Sequence, residues 1–68
     1  MTEYRWECKQ YQLKNGKWVP MVHLHEYVSG RLEVTKLLAP EGVQFDTEEQ
    51  ACHYSEAMAR KWLKDKYL

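Results

Sequence analysis

Residues 4–27 read Tyr4-Arg5-Trp6-Glu7-Cys8-Lys9-Gln10-Tyr11-Gln12-Leu13-Lys14-Asn15-Gly16-Lys17-Trp18-Val19-Pro20-Met21-Val22-His23-Leu24-His25-Glu26-Tyr27, and this stretch decides the fold. Tyr4, Trp6 and Cys8 alternate with Arg5, Glu7 and Lys9, the period of two that gives a strand one apolar and one charged face. A first strand is therefore expected over 4–13, ending or bulging near Gln10 and Tyr11, where the alternation fails. Lys14-Asn15-Gly16-Lys17 is the strongest turn signal in the chain, because Asn and Gly tolerate the positive φ of a tight hairpin. A second strand is expected over 18–27, with Trp18, Val22 and Leu24 on one parity and Val19, Met21, His23, His25 and Tyr27 on the other. Pro20 brings no N–H to a ladder, which points to an edge, a bulge or a frayed start. If the strands lie in sequence order, this strand is central and Pro20 conflicts with that place.

Working outward, Ser29-Gly30 marks the next turn, and a third strand is expected over 31–38, with Leu32 and Val34 facing the core and Arg31, Glu33 and Thr35 facing away. Leu37 and Leu38 break that alternation, and Ala39-Pro40-Glu41-Gly42 punctuates the chain. Val43-Gln44-Phe45 reads as briefly extended, with Phe45 packing back on the core. A helix follows over 47–67, capped by Asp46 with Glu49 or by Thr47 with Gln50. Ala51, Ser55, Met58, Ala59 and Trp62 form its inward stripe, flanked by Cys52, Tyr54 and Leu63. Glu49, His53, Glu56, Arg60 and Lys64 lie opposite, and Lys64 and Lys66 suit the negative end of the helix dipole. The expected fold is α+β, a single β-β-β-α domain over 1-68: a three-stranded antiparallel sheet with one C-terminal helix on one face. Its expected core is Tyr4, Trp6, Trp18, Val22, Leu24, Leu32, Val34, Phe45, Ala51, Met58, Ala59 and Trp62.

Composition bounds the function. Sixty-eight residues allow one domain, and a chain this short buries only about 60% of its unfolded surface. With 44% hydrophobic and 29% charged residues it belongs to the globular class. Ten Lys and Arg balance ten Asp and Glu, so no broad basic field exists for nucleic acid. The mean hydropathy is -0.76, and no apolar run approaches the roughly 18 residues of a membrane span. Met1-Thr2-Glu3-Tyr4-Arg5 does not resemble a secretory signal, so a cytoplasmic location without membrane partners is expected. Cys8 and Cys52 have no partner cysteine two residues away, which excludes a zinc knuckle or dithiol redox motif; one bridge between them is conceivable in an oxidising compartment, and two reduced, packed thiols are the expected state.

No catalytic constellation emerges, and neither enzyme activity nor a cofactor is expected. Cys52 and His53 are adjacent on the helix and cannot face each other. His23 and His25 share a strand face with Glu7 or Glu33 on the neighbouring strands. Two histidines without a defined third ligand read as sheet residues, and no metal is expected. Gly16, Gly30 and Gly42 sit in turns and build no phosphate loop. The three Trp fall on core parities, and Tyr11 and Tyr27 are the candidate exposed rings.

The sheet face away from the helix is the remaining candidate. Val19, Met21, His23, His25, Tyr27 and Leu37 form a possible self-association seam there, burial that so small a domain would otherwise lack. A free strand edge is the other route to self-association. Arg5, Lys9, Lys14, Lys17 and Arg31 are the candidate nucleic-acid contacts, interleaved with Glu3, Glu7, Glu26 and Glu33.

Gly16-Lys17-Trp18 after the first strand, and Phe45-Asp46-Thr47-Glu48-Glu49-Gln50-Ala51 at the helix start, resemble the arm-type DNA-binding domain of phage integrases. The resemblance implies an open sheet face laid into the major groove, with contacts drawn from Arg5, Glu7, Lys9, His23, His25, Arg31, Glu33 and Thr35. That family's sheet face is basic, whereas this one is charge-balanced. The outline is equally similar to small bacterial or phage-borne sheet-plus-helix proteins. The leading expectation is a small structural or protein-interaction module that forms a homo-oligomer or binds another protein. The alternative is a nucleic-acid binder using the open sheet face.

Overall fold

The structure, a computed structural model, describes residues 1–67. Its elements are β1 (Thr2–Cys8), β2 (Tyr11–Gln12), β3 (Trp18–Val19), β4 (Val22–Val28), β5 (Arg31–Leu38) and α1 (Glu48–Tyr67). The main sheet has three antiparallel strands in the order β1-β4-β5, and β2 and β3 form a separate two-stranded sheet. The α+β class and the single C-terminal helix agree with the sequence reading. Each of the first two expected strands is instead split in two.

Both splits lie at one place, where residues 9–10 run opposite 20–21. Pro20 occupies the gap before the central strand β4, so the ladder loses no N–H there, and its side chain is fully buried. This removes the conflict between Pro20 and a central strand. Lys9 N–H still donates to the Met21 carbonyl at 2.7 Å, tying the hairpin across the gap. The Met21 N–H turns to the helix and donates to Ser55 Oγ at 3.1 Å, while Ser55 Oγ–H donates to the Ala51 carbonyl at 2.9 Å. Ser55 is completely buried, and these two bonds satisfy it.

The two turns divide the backbone requirements. Gly16 takes a φ of 87° and its N–H donates to the Leu13 carbonyl, while Asn15 Oδ1 accepts from the Lys17 N–H. Only the glycine of that Asn-Gly pair is left-handed. Ser29 and Gly30, with φ of 51° and 82°, form the two-residue turn that matches strand twist and closes β4 onto β5.

Thr47 and Gln50 cap the helix reciprocally: Gln50 N–H donates to Thr47 Oγ1 at 3.2 Å and Thr47 N–H to Gln50 Oε1 at 3.3 Å. Asp46 does not cap; it pairs with Lys17. Ala51, Ser55 and Ala59 are buried, so the helix lies close over β1, β3 and β4. Val22, Leu24 and Ala59 form the core, with Trp6, Leu38, Met58 and Trp62 packed around it. Burying Leu24 alone contributes about 2 kcal/mol. Trp18 exchanges two backbone hydrogen bonds with Phe45, whose ring lies 5.4 Å from that of Tyr54, so Phe45 does pack back. At the far end Tyr4 Oη–H donates to Glu26 Oε2 at 2.7 Å, and Lys66 Nζ donates to the same oxygen at 2.9 Å.

Two expected core residues stand outside it. Leu32 is 53% and Val34 47% exposed. The β4–β5 ladder shifts register between Glu26 and Tyr27: Glu26 pairs with Val34, but Tyr27 pairs with Leu32, leaving Glu33 as the extra residue of a bulge. The shift moves Leu32 to the open face. Val34 keeps the helix-side face but lies beyond the reach of the helix.

Candidate functional site

Cross-strand pairing places Arg5 with His25, Glu7 with His23, His23 with Leu37 and His25 with Thr35, so these residues share the open face with Tyr27 and Leu32. The face is quilted with matched charges. Arg5 Nε donates to Glu3 Oε1 at 2.9 Å, and its guanidinium lies 5.3 Å from the Tyr27 ring centre. Lys9 pairs with Glu7 at 3.0 Å, and His25 Nε2 lies 3.9 Å from the other Glu7 oxygen. Lys9, with smaller help from His25 and His23, holds the Glu7 carboxyl below its ordinary range. His25 Nδ1 lies 3.3 Å from Thr35 Oγ1, and the His23 and His25 rings meet edge-on at 6.5 Å.

The seam residues from the sequence are thus only partly brought together. His23, His25, Tyr27 and Leu37 share the face. Val19 belongs to the small sheet, and Met21 lies in the gap with its backbone engaged by Lys9 and Ser55. Among the candidate nucleic-acid contacts, Arg5 pairs with Glu3, Lys9 with Glu7 and Lys17 with Asp46. Exposed pairs like these contribute little to stability, but they cancel the field a phosphate backbone would meet.

The apolar surface lies one strand further out. β5 is an outer strand of eight residues, exposed along its length except at half-buried Leu38. It exposes Leu32, Val34 and Leu37, on both of its faces. Where β5 ends against α1, a groove of about 390 Å³ is lined by Leu37, Leu38, Pro40, Met58 and Trp62, with Lys61 and Asp65 as its charged groups. The outer edge of β5 thus combines half-exposed leucines with the charges of Arg31, Glu33 and Lys36 and one bulge. Leu32 and Val34 are the surface residues sequence reasoning missed. Uninterrupted alternation concealed the bulge, and the Leu37-Leu38 doublet was the visible sign that both faces of this strand carry apolar groups.

Cys8 and Cys52 are free thiols brought against each other, with Cys8 Sγ 3.9 Å from the Cys52 carbonyl oxygen. Burial, and then the neighbouring Cys52, push the Cys8 thiol up to about 11. No helix among the described residues is long and apolar enough to cross a membrane. Comparison with protein-family models, curated proteins and solved structures finds no match to this chain.

Proposed function

We propose that this chain is a protein-interaction module that self-associates through the outer edge of β5. The observation that carries this reading is that Leu32, Val34 and Leu37 are half-exposed on the two faces of the outer strand β5. The bulge supports a second copy as the occupant. Two β5 strands paired antiparallel about a twofold axis at Thr35 keep each face continuous across the junction. On the open face, the neighbours of Thr35 along β5 are then Leu37 on one side and, because the bulge removes Glu33 from the count, Leu32 on the other. Leu37 of one copy meets Leu32 of its mate. On the helix-side face, Glu33 and Val34 meet Lys36, an opposite charge. The edge is self-complementary in both polarity and charge, and the product is a six-stranded sheet in the order β1-β4-β5-β5-β4-β1.

The test is the light-scattering mass across a concentration series. The reading expects a mass near 16 kDa, twice the 8.2 kDa of one chain, and a monomer mass for Leu37→Glu with unchanged circular dichroism. A wild-type chain that stays at the monomer mass at high concentration, or a Leu37→Glu chain that still dimerises, overturns it.

A further inference from the structure

Cys8 ends β1, while Cys52 and Glu56 stand one turn apart on the same face of α1. Forty-four residues separate the cysteines in sequence, so no local spacing motif announces them. The fold brings the Cys8 and Cys52 sulfurs and a Glu56 carboxylate oxygen within 4.8 Å of one another, all three residues half-buried. Among the described residues this is the trio of potential ligands that gathers; the histidines of the open face do not join such a group.

We propose that Cys8, Cys52 and Glu56 bind a thiophilic divalent cation, with Zn²⁺ the expected occupant. Two sulfurs and a carboxylate select zinc over calcium or magnesium, which take oxygen ligands. In tetrahedral zinc sites, metal–sulfur distances near 2.3 Å put two sulfurs about 3.8 Å apart. With the sulfurs already within 4.8 Å, reaching that spacing takes a movement of at most about 1 Å. The supporting backbone is anchored beside the core: Cys8 pairs with fully buried Val22, and Cys52 lies next to fully buried Ala51. Glu56 also faces Arg60 at 3.6 Å, in an exposed pair that costs little to surrender. Three protein ligands leave the fourth position to water or to a group from another molecule. Binding releases the thiol protons to solvent.

The test is a Co²⁺ titration of the reduced, metal-free chain under anaerobic conditions, read by absorption. A saturable sulfur-to-cobalt band at one ion per chain, bleached by Zn²⁺, is expected. Cys8→Ser and Cys52→Ser each remove at least half of that band. Glu56→Gln keeps the fold and weakens binding by about tenfold or more, the scale on which removing even supporting groups acts. Leu37→Glu binds cobalt as the wild type does, which separates this site from the self-association reading. Absence of the band at several-fold excess Co²⁺, or a band unchanged in Cys8→Ser, overturns the proposal.

Discussion

Leu32 and Leu37 emerge on the same side of β5, although an unbroken strand would send them to opposite faces. The register shift between Glu26 and Tyr27 is the cause, and it converts two scattered leucines into one apolar strip on an open edge. Helix α1 lies over β1, β3 and β4 on the other face, and Leu32 and Leu37 each stay 53% exposed.

The charges on β5 give the proposed pairing a register that can be read by exchange. Glu33→Lys and Lys36→Glu each place like charges together at both symmetric contacts, and each should weaken self-association several-fold. Cross-strand ion pairs are worth about 0.2–1 kcal/mol each. The double exchange should recover most of the loss. Sedimentation equilibrium at low and high salt measures it, and a double variant weaker than both singles would contradict the register.

Ser55 joins the helix to the interrupted hairpin. Ser55→Ala strands the half-buried Met21 N–H without its acceptor and should cost about 1–3 kcal/mol of unfolding free energy. Urea denaturation should show a lower midpoint with an unchanged slope. A shift worth less than about 0.5 kcal/mol would mean that water reaches the Met21 amide through the Pro20 gap.

Glu26 makes the fold acid-sensitive. Lys66, and then Tyr4, hold its carboxyl below the ordinary 4.5. A carboxyl depressed on folding contributes stability above its unfolded pKa and loses it as the pH falls through the folded one. Lys66 is pushed up to about 12, chiefly by Glu26, so its share is intact below its ordinary 10.5 and is lost as the pH rises through about 12. Glu26→Gln should therefore flatten the stability profile below about pH 4.5. Thermal unfolding across pH 3–7 checks this, and a profile identical to that of the wild type would remove Glu26 from the account.

Much of the architecture was legible because burial imposes periodicity. The alternation of Tyr4, Trp6 and Cys8 and the stripe of Ala51, Ser55, Met58, Ala59 and Trp62 each point to one element, whereas the cap spacing fitted both Asp46 with Glu49 and Thr47 with Gln50, and the structure uses the second. The β5 surface was hidden because one extra residue in a ladder leaves no local mark on composition. Leu32 looks like a core residue until the partner strand shows the shift, and Val34 keeps the expected face yet stays 47% exposed. The Cys8–Cys52–Glu56 cluster was hidden because its cause is tertiary: the end of β1 meets the first turns of a helix that begins forty residues later.

The most direct measurement is a cross-link at the proposed axis. Thr35→Cys, made in a chain carrying Cys8→Ser and Cys52→Ser, places two cysteines directly opposite each other across the twofold. There, Cα atoms about 4.5–5.5 Å apart lie within disulfide range. Mild oxidation should give a covalent dimer rapidly and nearly completely, whereas Lys64→Cys in the same background should stay monomeric. Slow, incomplete linkage of the Thr35→Cys chain at the rate of the Lys64→Cys control would contradict pairing along β5.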